Sequence, residues 1–224
     1  MVRALLALCV LTMATAPARA DVARDATLCS DAKSSAEVVI EACGGVIADA
    51  SVGPEIKFAA LERRAEAFFA GRGDYQNAVD DATAAIKLQP DNPDAYVLRA
   101  AVYLAFNEFD KAIADYGAAL MRRPNDAVAL AGRANAFVQS GDSARAIADY
   151  NEVIRLRPDD AGAIYDRGGA YEKTGDVERA QADYNLAIKL QRDYAGEFPD
   201  ACFAADAKGE RVLANWPACE GDEP

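Results

Sequence analysis

Apolar residues through the middle of the chain recur at helical spacing, and polar breaks interrupt them at regular intervals. Leu130, Ala134, Phe137 and Val138 make one face of a first helix. Ser140-Gly141-Asp142 breaks it, since glycine tolerates the left-handed C-cap and Asp or Ser caps the helix that follows. Ala146, Ile147, Tyr150, Val153 and Ile154 give the second helix, and Arg157-Pro158-Asp159-Asp160 ends it. The pattern then returns. The segment Arg133–Pro158 reappears 34 residues upstream at Arg99–Pro124 and 34 residues downstream at Arg167–Arg192. A further copy, from Arg64 to Pro90, has one extra residue in its turn. Pro90, Pro124 and Pro158 therefore stand 34 residues apart. A fixed period of this length means one supersecondary unit repeated and stacked. A lone helix pair cannot bury its apolar face, so the unit makes sense only as an array.

The residues that carry the period resemble the tetratricopeptide repeat. They are the small residues Ala100, Ala134 and Gly168, the aromatics Tyr103, Phe137 and Tyr171, and the turn glycines Gly141 and Gly175. Ala78, Ala112, Ala146 and Ala180 of the second helices match as well, as do Tyr116, Tyr150, Tyr184 and the closing prolines. Arg192 in place of proline, Asn107 in place of glycine and Ala82 in place of tyrosine depart from the pattern. The resemblance implies an all-α, right-handed superhelical solenoid of stacked antiparallel helix pairs. Its four full repeats would be 58–92, 93–126, 127–160 and 161–194, with helical caps at both ends. Asp91-Asn92-Pro93 is a good helix start, with a polar cap before proline at the first helical position.

The ends read differently. Residues 1–20 carry Arg3, an apolar stretch from Ala4 to Ala14, and Ala18-Arg19-Ala20, which reads as a signal peptide cleaved after Ala20. The run is too short for a membrane anchor, and Cys9 follows Leu8, where a lipoprotein cysteine needs a small residue. The chain is thus expected to be exported, to a bacterial periplasm or beyond. Cys29, Cys43, Cys202 and Cys219 remain, and four cysteines allow three connectivities. Two precede the array and two follow it, so Cys29–Cys43 and Cys202–Cys219 are the expected pairs. The first gains support from Val39–Ile47, which overlays Ala78–Ile86 as the second helix of a degenerate repeat within a cap spanning 21–57. At the other end, residues 195–224 are expected to hold a capping helix, from Asp200 to about Leu213, and an acidic tail.

Composition narrows the chemistry. The chain contains no histidine, which removes the commonest general base and transition-metal ligand. No Cys-x-x-Cys occurs, and Gly71-Arg72-Gly73 is an inter-helix turn rather than a phosphate cradle. The formal charge of −12 moves to −14 once Arg3 and Arg19 are removed, which disfavours nucleic acid and anionic membranes as partners. No enzyme, metal or cofactor is expected, nor membrane insertion.

One pattern of charge recurs with the repeat. Arg64, Arg99, Arg133 and Arg167 open the motif, and Asp81, Asp115, Asp149 and Asp183 sit on the second helix. They form either a ligand-binding ladder or, the favoured reading, partly buried ion pairs fastening each helix pair. In tetratricopeptide proteins the first helices line a concave face that binds peptides or partner helices. Carried over, those positions are Glu62, Glu66, Val97, Ala101, Leu104, Ala131, Asn135, Val138, Tyr165, Gly169 and Glu172. Glu62 and Glu66 stand where a carboxylate clamp would need lysine and asparagine, so a chaperone-tail adaptor is disfavoured. The expectation is a non-catalytic scaffold for a protein or peptide partner. The alternatives are a structural part docking through its caps in an envelope assembly and, behind it, an envelope hydrolase.

Overall fold

Each half of the 34-residue period folds as one helix, and the turn chemistry sets where each helix stops. The computed structural model describes residues 16–195 and the short segments 203–205 and 211–213. They divide into two compact units, 1–124 and 125–224.

In the first unit, α1 (Ala16–Ser30) and α2 (Ala36–Ala48) form the cap pair. They are followed by α3 (Pro54–Glu66) with α4 (Tyr75–Leu88), and α5 (Pro93–Ala105) with α6 (Phe109–Arg122). Each helix packs on the next in sequence, and α5 also touches α3. The second unit holds α7 (Ala127–Ser140) with α8 (Ser143–Leu156), and α9 (Ala161–Lys173) with α10 (Val177–Ala195). Here α9 packs on α8 and touches α7. The fold is the all-α tetratricopeptide arrangement of adjacent antiparallel pairs.

Caps are supplied where the polar breaks lie. Asp74, Asn92, Asp126, Asp142 and Asp160 each accept a backbone N–H from the first turn of the helix they precede. Gly73, Gly141 and Gly175 close the first helices with positive φ. At the second-repeat turn Asn107 adopts the same left-handed geometry, φ 60°, because its short polar side chain tolerates it. The extra residue of the first repeat is absorbed by a π-helical turn, Ala67–Arg72, that continues α3. An inserted residue widens a helical turn instead of breaking the frame. At its other end α3 starts at Pro54, ahead of the boundary at 58 read from the period, with the proline in the first turn.

The conserved-size positions of the motif are the core. Ala78, Ala100, Ala112, Ala134 and Ala146 are fully buried, as is Tyr150. Gly168 shows why the first-helix position must be small: a Cβ there would lie 2.8 Å from the Tyr184 ring. At the N-terminal end Cys29 and Cys43 are disulfide-bonded, with Cα atoms 4.9 Å apart, inside a cluster with Val39, Ala42 and Val46. That Cα separation brings α1 and α2 close together at the bridge.

Beyond α10 the structure departs from the expected capping helix. Phe203–Ala205 (β1) and Arg211–Leu213 (β2) pair antiparallel, with Phe203 opposite Leu213. A short apolar run is compatible with either element when periodicity is the sole guide. Cys202, Cys219 and most of the leader lie outside the described residues; Ala16–Ala20 belong to α1.

Candidate functional site: the first-helix faces and the ion pairs behind them

Four arginines project from first helices to four aspartates on second helices, and all four pairs are bidentate. Arg64 donates through Nε and Nη2 to Asp81, both at 2.7 Å. Arg99 meets Asp115 at 2.7 and 2.8 Å, and Arg133 meets Asp149 at the same distances. Arg167 meets Asp183 at 2.7 Å twice. The aspartates are 6–8% exposed. Hydrogen bonding to these carboxylates, ahead of the opposing cost of burial, raises the pKa of Arg99, Arg133 and Arg167. A donor fork engaged through two atoms by one carboxylate fastens the two helices of its pair.

The remaining donor couples one pair to the previous one. Arg99 Nη1 donates to Thr83 Oγ1 on α4 at 3.0 Å, and Arg167 Nη1 donates to Asn151 Oδ1 on α8 at 2.7 Å. Gly44 holds the matching place facing Arg64 Nη1 and offers no acceptor. Thr83 and Asn151 carry no mark of this role in the repeat pattern, which pairs each arginine only within its own repeat.

A second set of cations faces the first-helix aromatics. Tyr103 has Arg99 at 5.9 Å and Lys111 at 5.3 Å from its ring centre. Phe137 has Arg133 at 5.9 Å and Arg145 at 4.3 Å, and Tyr171 has Arg167 at 5.8 Å and Arg179 at 4.5 Å. Cation–π attraction of this kind contributes about 0.5–1 kcal/mol at an exposed site. Arg145 and Arg179 also pair with Asp142 and Asp176, the aspartates that open α8 and α10. Lys111, Arg145 and Arg179 stand 34 residues apart, so the signal was present in the period.

The expected binding positions all lie on first helices, and none is buried. In the first unit Glu62 and Glu66 lie on α3, and Val97, Ala101 and Leu104 on α5. In the second, Ala131, Asn135 and Val138 lie on α7, and Tyr165, Gly169 and Glu172 on α9. Several have structural partners as well. Asn135 accepts from the Tyr150 hydroxyl at 2.5 Å and Glu172 from the Tyr184 hydroxyl at 2.8 Å. Glu66 pairs with Arg63, and Tyr165 lies against Tyr184 with ring centres 5.0 Å apart. Val97, Ala101, Leu104, Ala131 and Val138 are partly accessible and apolar.

Family comparison agrees with this geometry. A family model described as TPR repeat matches residues 134–175, and two described as Tetratricopeptide repeat match 69–136 and 161–194. Together they run from 69 to 194, more than half of the chain. The chain is a tetratricopeptide repeat protein. Among solved structures it is similar to MamA (41-end) from Desulfovibrio magneticus RS-1, 21% identical with TM-score 0.70, over 80% of this chain and 97% of that one. MamA MSR-1 is 15% identical with TM-score 0.66, over 80% of this chain and 99% of that one. A crystal structure of MamA is 19% identical with TM-score 0.64, over 72% and 92%. At these identities the likeness shows the fold. No curated protein matches the chain by sequence.

As a tetratricopeptide repeat protein the chain is a protein–protein interaction scaffold, in a fold typically used for interaction rather than catalysis. Among the described residues no cluster of acids and cysteines is arranged to hold a metal, and no helix is long and apolar enough to cross a membrane.

Glu62 gives this tetratricopeptide protein a pH-dependent term. Its half-buried carboxyl is pushed up to about 7, first by burial and then by the charges of Asp94 and Glu66. Asp94 itself is paired with Arg123 at 2.9 Å. An acid whose folded pKa is raised is favourable below its unfolded value, near 4.5, and that advantage is lost as the pH rises through about 7. After allowance for solvent screening of a half-exposed group, the loss is roughly 1–2 kcal/mol. Glu62→Gln is therefore expected to melt higher than wild type at pH 8 and level with it at pH 4.5. Thermal melts across that range check the sign.

Proposed function

We propose that this protein is a non-catalytic scaffold, exported to the bacterial envelope, that binds a peptide or partner helix on its first-helix faces. The observation that carries the reading is the accessible, small and apolar set Val97, Ala101, Leu104, Ala131 and Val138. The arginines on the same helices already hold bidentate pairs with their aspartates. Taken separately, the α5 set on the first unit and the α7 set on the second each suit a segment with apolar anchors and require little ordering on binding. Glu62 and Glu66 on the first unit, and Glu172 on the second, favour a partner that carries basic residues.

Two observations support export. The apolar segment before Ala20 has the composition of a signal peptide, and the Cys29–Cys43 disulfide belongs in an oxidising compartment.

The test is crosslinking capture from the periplasm with wild type and an Ala101→Arg, Val138→Arg variant, which places one charge on each unit. Discrete partners that disappear in the folded variant support the reading. Partners that persist unchanged move binding to the caps or the opposite face.

A further inference from the structure

The last helix pair carries a hollow with one charge in its wall. Ala161, Gly162 and Tyr165 of α9 and Ala187, Ile188 and Gln191 of α10 line a cavity of about 230 Å³, with Asp166 beside them. A cavity of roughly 150 Å³ holds a benzene ring, so an unbranched side chain fits here. Ala187 is buried, and Tyr165 is 42% exposed with its ring against that of Tyr184. The lining is apolar except for the Asp166 carboxylate, the Gln191 amide and the phenol edge of Tyr165.

The fold makes no use of Asp166. Along α9 and its cap, Asp160 accepts the Ala163 N–H at 3.0 Å and Glu172 accepts from the Tyr184 hydroxyl at 2.8 Å. Asp166, between them, has no hydrogen bond or ion pair among the described residues. Loss of water at the carboxyl and then the charge of Asp160 both raise its pKa, and no cation offsets them. Stacking does not call for a carboxylate at this place, since one and two periods earlier it is Gly132 and Leu98. A carboxylate at the wall of an apolar space is unfavourable until a cation joins it.

We propose, on the scaffold reading above, that this hollow takes a lysine side chain of the bound partner, its aliphatic stem over Ala187 and Ile188 and its ammonium between the Asp166 carboxylate and the Tyr165 ring. The stem covers apolar surface while the charge stays at the rim, and the ring face attracts the ammonium. An ammonium brings three donors, which the carboxylate, the Gln191 carbonyl and the ring can meet. A guanidinium brings five in one plane, and an apolar wall leaves some of them unmet.

The probe is n-butylammonium, the lysine side chain without its backbone. It is titrated into the full-length protein and followed by the NMR shifts of the Ile188 methyls and the Tyr165 ring, with neutral n-butanol as the control. Butylammonium is expected to bind with a Kd on the order of millimolar and severalfold tighter than butanol. Asp166→Asn should bring it down to the butanol level and leave butanol unchanged. Gly162→Leu should weaken both, because a side chain at that glycine meets nothing closer than Asp160 at 3.4 Å and is free to enter the hollow. In periplasmic capture, Asp166→Asn should lower the partner yield severalfold. Butylammonium no tighter than butanol, or a preference that survives Asp166→Asn, would overturn the assignment. So would tighter binding of n-butylguanidinium, or capture unchanged by Asp166→Asn. Butylammonium binding on these terms with no partner captured by wild type supports the site and contradicts the scaffold reading, which separates the two failures.

Discussion

Replacing Arg133 by methionine is expected to cost about 3 kcal/mol and to lower the melting temperature by roughly 6–12 °C. Methionine keeps the apolar stem but removes both donors, leaving the Asp149 carboxylate 7% exposed and without its bidentate partner. An isolated charge in that position is unfavourable because water cannot reach it and no other cation is bonded to it. The figure is placed at the lower end of the range for broken buried pairs, since the Arg133 side chain is itself 27% exposed. Removing both charges should behave differently. Arg133→Met with Asp149→Leu is expected to recover most of the lost stability, because an apolar pair of similar volume needs no desolvation. The double-mutant cycle, read by denaturant unfolding, measures the coupling. A single variant as stable as wild type would mean that the pairs do not fasten the helices.

Loss of the Cys29–Cys43 bridge is the second large effect. Its 14-residue separation corresponds to about 3 kcal/mol in the chain-entropy treatment of cross-links. The consequence should be local. Among residues 22–30 of α1, Cys29 alone is buried, so little else holds that helix against α2. The Cys29→Ala, Cys43→Ala variant is expected to exchange its amide hydrogens freely across 22–48. Protection in α7 to α10 should be unchanged. Uniform loss of protection along the chain would instead make the bridge part of one global unfolding unit.

Much of this architecture is legible in the amino-acid sequence because one pattern is written four times. The period locates each helix, the glycines and aspartates locate their ends, and the Arg–Asp recurrence places both partners on facing helices. The Cys29–Cys43 pair follows from laying Val39–Ile47 over a later repeat. Other features escape for definable reasons. An extra residue in the first repeat could enlarge a loop or a helical turn equally well, and only packing selects the π-helical turn at Ala67–Arg72. Lys111, Arg145 and Arg179 look like ordinary solvent-facing cations until the aromatic rings beneath them are placed. The strands at Phe203 and Arg211 fall beyond the repeat, where no second copy exists to resolve a short apolar run.

Function is less legible than fold for the same reason. Repetition reports what every pair needs in order to stack, whereas a partner is selected by the positions that differ between pairs. Glu62, Val97, Ala131 and Tyr165 occupy one place in successive repeats and run from an acid through alkyl groups to a phenol.

The most direct measurement is partner capture by three proteins compared at equal folded fraction: wild type, Ala101→Arg with Val138→Arg, and Arg133→Met with Asp149→Leu. An interaction scaffold with accessible first-helix faces and a structural ion-pair ladder predicts that the second protein loses its partners and the third keeps them. Retention by the second and loss by the third would contradict it, making the arginine ladder the binding element.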